Sequence, residues 1–218
     1  MILKTYENCT MDNPKNLVIF LHGYGANGQN LINLANEYKI ALPKANFISP
    51  NAIQEWEGGF PNCYQWFSLY NNIDRRPITQ IYSDIKEANI KLTSYIDEQL
   101  KRFNLSYSNL VLVGFSQGAM MAIYQALILK EQVRAVIAYS GIVIMPEMTN
   151  QATNSKPNIC LIHGKEDSVV DFSNFEEGIE ILRQNNIPCQ YLAIDNLDHS
   201  IDIKGVKFAV NFLKNLNN

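Results

Sequence analysis

The amino-acid sequence predicts an α/β domain with a mostly parallel central sheet and helices on both faces. Short β-rich apolar runs alternate with longer segments of helical periodicity, which is the pattern of α/β proteins. Residues 17–21 are continuously apolar, as expected of a strand that is buried on both faces. No repeat and no Ser/Gly-rich linker divides the 218 residues. We therefore expect a single domain over residues 1–218.

Six strands and four helices are predicted along the chain. The strands are expected at residues 17–21, 46–49, 110–113, 135–139, 159–162 and 190–194. The helices are expected at residues 81–103, 119–130, 172–185 and 205–216. The clearest helix is the first, since apolar residues recur there every three or four positions from Ile81 to Phe103.

Composition and charge exclude several classes of protein. Lys and Arg number 18 against 21 Asp and Glu, and no basic block is present to neutralise phosphates, so no nucleic-acid partner is expected. The longest apolar stretches, 119–129 and 135–145, are shorter than the ~18 residues that span a bilayer, so no stable membrane insertion is expected. The four cysteines are scattered without a CxxC pair, which predicts no metal site. The N-terminus lacks the pattern of a signal peptide, and we expect a cytoplasmic location.

The motif that predicts chemistry is Gly-Phe-Ser-Gln-Gly at residues 114–118. It follows a predicted buried strand and precedes a predicted helix, the context in which G-x-S-x-G forms a nucleophile elbow. Such an elbow projects the serine hydroxyl above the sheet, and its glycines avoid clashes in the sharp turn. Ser116 is therefore the predicted nucleophile.

A serine hydroxyl needs a base, and the base needs an acid that orients it. In hydrolases with this elbow the chain order is serine, acid, histidine, and His163 and His199 are the histidines that follow Ser116. His199 lies on the loop after the last predicted strand, and Asp167 lies on the loop after the strand before it. Because active sites of open α/β sheets lie at the carboxyl ends of the strands, we predict Ser116, Asp167 and His199 as the catalytic residues.

Other acids and histidines fit these roles less well. Asp198 is the sequence neighbour of His199 and would seldom reach Nδ1 of that ring. Asp195 is expected at the end of a strand, and Asp171 just before a helix, where an aspartate is typical of an N-cap. His163, at a strand end before a glycine, is interpreted as a structural hydrogen-bonding group.

An oxyanion hole needs two backbone N–H groups beside the serine. One comes from the residue after the nucleophile, here Gln117, and the other from a loop after an earlier strand. His22-Gly-Tyr-Gly follows the strand at 17–21, and its flanking glycines allow the peptide of Tyr24 to approach a substrate. We predict Tyr24 and Gln117 as oxyanion donors and a structural role for His22.

The same loop matches the dinucleotide fingerprint G-x-G-x-x-G through Gly23, Gly25 and Gly28. A ribose would also need an acidic residue about 20 positions on, at the end of the next strand. Residues 47–51 contain no acid, which disfavours a nucleotide site.

The segment 53–77 is long for a connection and rich in aromatic residues. Loops of this length are often lids or binding walls, although the aromatic rings could equally anchor the segment to the core. We expect Trp66 and Phe67 of this loop, together with Ile142 and its neighbours up to residue 145, to form an acyl-binding wall. Simple core packing is the alternative for these side chains.

The chain resembles the carboxylesterase/phospholipase family of the α/β-hydrolase superfamily, which includes acyl-protein thioesterases. The matching segments are Phe-Leu-His-Gly-Tyr-Gly (20–25), Ser-Pro-Asn-Ala (49–52), Gln-Trp-Phe (65–67), Gly-Phe-Ser-Gln-Gly (114–118), Tyr-Ser-Gly (139–141), His-Gly-Lys-Glu-Asp (163–167) and Asp-His-Ser-Ile (198–201). The resemblance implies an α/β-hydrolase fold, the triad Ser116, Asp167 and His199, and the donors Tyr24 and Gln117. It also implies hydrolysis of esters or thioesters without a cofactor.

Three positions depart from the family's pattern. Ala119 replaces a glycine that is common after Ser-Gln-Gly, and Asp171 replaces a common proline. Asn-Leu-Asp at 196–198 replaces the Gly-Xaa-Gly that often precedes the histidine, so that loop is expected to differ.

The sequence thus predicts a serine hydrolase that cleaves a small-molecule or lipid acyl ester or thioester through an acyl-enzyme. Two alternatives stay open: an acyltransferase on the same fold, and a non-catalytic binding protein that keeps a hydrolase-like site. The sequence does not select among carboxylesterase, lysophospholipase and acyl-protein thioesterase, and it sets no oligomeric state.

Overall fold

The structure is a computed structural model that describes residues 3–71, 74–146 and 155–216. The strands in these ranges are β1 Thr5–Asn8, β2 Asn16–Leu21, β3 Ala45–Pro50, β4 Gln54–Glu55, β5 Tyr64–Gln65, β6 Tyr70–Asn71, β7 Asp74–Arg75, β8 Leu110–Phe115, β9 Ala135–Tyr139, β10 Ile159–Gly164 and β11 Cys189–Ile194. The helices are α1 Gln29–Ile32, α2 Ala35–Tyr38, α3 Ile78–Phe103, α4 Gln117–Ile128, α5 Ser173–Gln184 and α6 Ile203–Asn215, with a 3₁₀ turn at Tyr107–Asn109.

In the described part of the chain, seven strands form one sheet in the order β1-β3-β2-β8-β9-β10-β11. Every neighbouring pair is parallel except β1 with β3, which is antiparallel. The predicted fold class is therefore confirmed. From β2 the chain moves to β3 on one side and later to β8 on the other side, so the strand order reverses between β2 and β8. Ligand crevices of open sheets form at the carboxyl ends of strands at such a reversal.

Helices cover both faces of the sheet. One core joins α3, α4 and α5 to the sheet, and the other joins α1, α2 and α6 to the opposite face. β2 contributes to both, because Leu17, Ile19 and Leu21 belong to the first core and Val18 and Phe20 to the second. This two-sided burial explains why residues 17–21 are continuously apolar. Among the described residues, no helix combines the length and the apolar character that crossing a bilayer requires.

The predicted strands and helices all exist, and their ends agree with the prediction to within three residues. Strand β1 and helices α1 and α2 were not predicted. Each of the three has only four residues, too few to establish a hydrophobic period, and β1 is only half-buried at the edge of the sheet.

The described residues of the segment 53–77, which are 53–71 and 74–77, include short strands. They contain two short antiparallel pairs, β4 with β5 and β6 with β7. A bridge between Ala26 and Tyr64 joins the segment to the loop that follows β2. The segment is therefore attached to the carboxyl edge of the sheet beside the predicted site.

Candidate active site

Ser116 lies in a sharp turn between β8 and α4, with φ of 53° and ψ of −118°. A non-glycine residue seldom adopts this backbone conformation, which stores strain and is frequent at functional sites. The two glycines of the motif are required by space: a Cβ at Gly118 would lie 1.9 Å from the Leu21 carbonyl oxygen. A Cβ at Gly114 would lie 2.2 Å from the carbonyl oxygen of Gly118. The geometry is that of a nucleophile elbow.

Asp167 and His199 lie together on the loops after β10 and β11. His199 Nδ1 is 2.8 Å from Asp167 Oδ2, and the Asp167 side chain is fully buried. Burial by itself would raise the pKa of Asp167, but hydrogen bonds from His199 and from the backbone of Val170 and Val169 hold that pKa below its usual value. Because an ionised carboxylate accepts from Nδ1, the proton of neutral His199 is on Nδ1 and its Nε2 is available as a base.

The His199 ring lies beside the residue that precedes the serine. Its centroid is 4.8 Å from that of the Phe115 ring. Among the described residues, no hydrogen bond joins Ser116 Oγ to His199 Nε2. Both residues follow the carboxyl ends of strands, β8 and β11, and so lie at the same edge of the sheet. Catalytic hydrogen bonds are often long before substrate binds and tighten in the complex.

His163 also contacts the buried carboxylate. Its Nε2 lies 2.9 Å from the Val170 carbonyl oxygen and 3.2 Å from Asp167 Oδ2. Both partners are acceptors, so Nε2 carries the proton. Burial lowers the pKa of His163 and favours this neutral form. These contacts fit the predicted structural role of His163. The sequence did not predict that the His163 ring lies close to Asp167.

The other acids lie where the sequence placed them. Asp198 accepts from the backbone N–H groups of Ser168 and His199, at 2.8 and 2.7 Å, and so binds the two loops together. Asp171 accepts from the backbone N–H of Ser173 at the start of α5, at 2.8 Å, as a cap would. Asp195 pairs with Lys165 on the surface. None of these carboxylates contacts the His199 ring.

The loop after β2 lies against the elbow. A Cβ on Gly23 would lie 3.4 Å from Ser116 Cβ and 3.2 Å from the Phe115 ring, so the peptide that leads to Tyr24 passes directly beside the serine. Within the described residues, the N–H groups of Tyr24 and Gln117 donate to no other group. Their assignment as oxyanion donors stays a prediction, with which these unpaired N–H groups are compatible.

His22 is buried beneath this loop as a neutral ring. Its Nδ1 lies 2.7 Å from the Gly23 carbonyl oxygen, and its Nε2 accepts from the Ala52 N–H at 2.9 Å. The tautomer is therefore fixed with the proton on Nδ1. Burial lowers the pKa of His22 to about 4. These contacts fit the predicted structural role.

The fingerprint-like glycines have packing reasons. Gly25 has φ of +71° and lies against the Trp56 ring. A Cβ on Gly28 would lie 2.2 Å from the Ser49 carbonyl oxygen on β3. In the described residues, no group of three or more His, Cys, Asp or Glu side chains is arranged to hold a metal ion.

The expected acyl-binding wall divides into two parts. Trp66 and Phe67 are completely buried in the core and present no surface to a substrate, so core packing, the alternative, describes them. Ile142 lines two neighbouring cavities of about 430 and 720 Å³. The smaller includes Met120, one turn after Ser116, and Val169 and Val170 beside Asp167. The larger is bounded by α3, α5 and residues 142–145.

The sheet, the elbow and the loop positions define an α/β hydrolase. The phospholipase/carboxylesterase family matches residues 8–217, and the chain belongs to that family. The predicted resemblance is thereby confirmed.

Named relatives and solved structures agree. Acyl-protein thioesterase 1 of Candida albicans is 25% identical over 215 residues, which cover 93% of this chain and 92% of that protein. Esterase YpfH of Escherichia coli is 27% identical over 210 residues, covering 93% and 84%. The crystal structure of esterase PE8 is 32% identical with a TM-score of 0.90 and covers 99% of this chain and all of that one. The expectation of an enzyme acting on carboxylic esters or thioesters is confirmed.

Proposed function

We propose that the protein is a serine hydrolase that cleaves carboxylic esters or thioesters through a Ser116–His199–Asp167 triad and an acyl-enzyme. The observation that carries this proposal is the strained elbow at Ser116 beside a His199 ring whose Nδ1 is bound to a buried carboxylate. In the neutral ring that arrangement leaves Nε2 unprotonated, as a general base requires, and the ring lies beside Phe115, the residue before Ser116.

The proposed reaction has two stages. His199 Nε2 accepts the Ser116 proton as Oγ attacks the acyl carbonyl, and the N–H groups of Tyr24 and Gln117 bind the oxyanion. His199 then gives the proton to the leaving alkoxide or thiolate as the C–O or C–S bond breaks. Water attacks the acyl-enzyme with the same base, which releases the carboxylic acid and restores Ser116. The residues involved need no metal or cofactor for these proton transfers.

We propose that the acyl chain lies along Ile142, in the two cavities that this residue lines. The wall combines Met120 and Val170 near the proposed triad with the apolar residues 143–145 farther away. The larger cavity lies within the roughly 300–1,000 Å³ typical of small-ligand sites. Because Ile142 lines both cavities, this residue is the proposed control on acyl-chain length.

A hydrolysis screen tests this function. p-Nitrophenyl esters from C2 to C16, a lysophospholipid and a palmitoyl thioester are assayed with wild type, Ser116→Ala and Ile142→Phe. We expect ester or thioester turnover in wild type and its loss in Ser116→Ala. Equal activity of these two proteins contradicts the mechanism.

The Ile142→Phe variant tests the acyl site separately. The larger ring narrows the passage, so kcat/KM for long esters falls by about tenfold relative to C2, comparable to other changes of a methylene or more in apolar pockets. An unchanged chain-length profile contradicts the acyl assignment and leaves the triad untouched.

A further inference from the structure

Residues 64–67 contact both the loop after β2, which carries Tyr24, and Gln117, the first residue of α4. We propose that this segment, here named the brace, positions the oxyanion donor of Tyr24 relative to that of Gln117, and that the side chain of Gln117 is the positioning residue through which it acts. The inference rests on the proposed function and concerns how its oxyanion hole is built.

The brace fixes the chain on both sides of Tyr24. The N–H of Gly25 donates to the Tyr64 carbonyl oxygen at 2.9 Å, and the Tyr64 N–H donates to the Ala26 carbonyl oxygen at 2.8 Å. Before Tyr24, the Trp66 indole N–H donates to the His22 carbonyl oxygen at 2.9 Å. The peptide that carries the first donor is thus held from both ends by one segment.

The same segment is bound to the residue that carries the second donor. Gln117 Oε1 accepts from the Trp66 backbone N–H at 2.9 Å, and Gln117 Nε2 donates to the Phe67 carbonyl oxygen at 2.7 Å. Gln117 is 1% exposed, and Trp66 and Phe67 are fully buried. Removing the amide would leave two buried backbone groups without partners.

This arrangement explains the residue type at position 117. Any residue type except proline at position 117 would supply a backbone N–H, so the second donor does not require glutamine. The two side-chain bonds favour glutamine, because its amide places an accepting oxygen and a donating nitrogen side by side in one uncharged planar group. The elbow already fixes the Gln117 peptide, whereas Tyr24 lies on a loop. Through the brace, the loop that holds Tyr24 is therefore fixed relative to α4.

Gln117→Met tests the brace, with Gln125→Met as the matched control. Both glutamines are buried on α4, and Gln125 donates to Thr93 Oγ1 on α3, away from Ser116. For each protein, kcat and KM for a p-nitrophenyl ester and the inhibition constant of a trifluoromethyl ketone are measured, with thermal unfolding as the stability readout. The ketone forms an oxyanion on Ser116 and so reports on the hole directly.

We expect Gln117→Met to lower kcat by about 10- to 100-fold, less than the roughly 10²–10³ lost when a donor is removed, since the Tyr24 N–H is displaced and not deleted. The ketone binds more weakly by a similar factor, and KM changes little. Gln125→Met keeps wild-type kcat and ketone affinity even where its stability falls as much. Wild-type values in Gln117→Met, or equal losses in both variants, overturn the proposal.

Trp66→Phe supplies an independent arm if Gln117→Met fails to fold. It removes the indole donor to His22 and keeps an aromatic ring, so a smaller parallel loss in kcat and ketone affinity is expected, and unchanged values overturn the brace. Ser116→Ala separates the two levels of failure. Activity that survives Ser116→Ala refutes the proposed function, whereas an inactive Ser116→Ala beside an unaffected Gln117→Met refutes the brace alone.

Discussion

The acid–base half of the proposed site and its oxyanion half are held in place by different kinds of contact. In the acid–base half, His199 and His163 converge on one buried carboxylate, Asp167. In the oxyanion half, the chemistry belongs to backbone N–H groups, and the side chain of Gln117 acts only by binding a neighbouring segment. The first half therefore depends on which residues are present, and the second depends on where the backbone is held.

This difference sets how each half should respond to substitution. A side chain that carries a proton cannot be replaced without loss of the chemistry. A backbone donor survives every substitution of its own residue except proline, and is otherwise lost only through displacement. We expect steep losses in the acid–base half and graded losses in the oxyanion half.

The largest effect is expected for His199→Ala. Because His199 is the proposed base, kcat/KM for a p-nitrophenyl ester should fall on the order of 10⁴–10⁶-fold, as in other triads. Thermal unfolding checks that the variant is folded. Turnover within tenfold of wild type would remove His199 from the mechanism.

Asp167→Asn should follow, with a loss of about 10⁴-fold in kcat, since an amide holds the imidazole in the wrong tautomer. Asp195→Asn is its control, because Asp195 lies at the end of β11 and pairs with Lys165 on the surface. Steady-state kinetics of both proteins decide the assignment. Similar small losses in both would show that Asp167 is not the orienting acid.

The next prediction concerns the pH dependence of the protein's stability. It arises from His22, which is buried beneath the loop of the oxyanion half. His22 has a pKa of about 4 in the folded chain against a usual 6.5, so between these values the unfolded chain binds more protons. The free energy of unfolding should therefore fall with pH by about 3 kcal/mol from pH 7 to pH 4 on account of this residue. His163, whose pKa is also lowered by burial, acts in the same direction.

Urea unfolding of wild type and His22→Gln across this pH range measures the effect. The variant cannot take up the proton, so its stability should depend less on pH even if it is lower throughout. The pKa of Asp167 is below its usual value of 3.8, so protonation of that carboxylate falls below this window. Identical slopes for the two proteins would contradict the assignment to His22.

The smallest effect is expected for His163→Leu. The Nε2–H of His163 is hydrogen-bonded to the Val170 carbonyl and lies 3.2 Å from Asp167 Oδ2, so the variant loses a secondary contact to the carboxylate. A loss of about 0.5–1.5 kcal/mol should lower kcat by roughly 2- to 10-fold with KM nearly unchanged. His163→Gln carries an amide N–H that can donate to the same carboxylate, and we expect it to recover most of kcat. If His163→Leu and His163→Gln lose kcat equally, the contact with Asp167 has no catalytic consequence.

The sequence predicted the parts of the molecule that local patterns encode. The strands and longer helices follow from apolar periodicity, and Ser116 follows from glycine spacing between a strand and a helix. Asp167 and His199 could be named because strand ends of a parallel sheet share one edge. Their contact then required only that β10 and β11 be neighbours.

The brace could not be predicted in the same way. Gln117 and Phe67 lie 50 residues apart, and their hydrogen bond joins an amide to a backbone carbonyl, a contact with no signature in residue type. The aromatic residues of the segment 53–77 indicated an acyl-binding wall, but Trp66 and Phe67 pack into the core. There the Trp66 indole N–H donates to the buried His22 carbonyl oxygen. The available clue in the sequence was a glutamine at the start of a mostly apolar helix.

Covalent labelling tests most directly that both halves serve one nucleophile. Wild type, Ser116→Ala and His199→Ala are treated with a fluorophosphonate, and the adduct is located by peptide mass spectrometry. We predict a single adduct on Ser116 in wild type, none in Ser116→Ala and much slower labelling in His199→Ala. An adduct on another residue of wild type, or labelling of Ser116→Ala at the wild-type rate, would contradict the central claim.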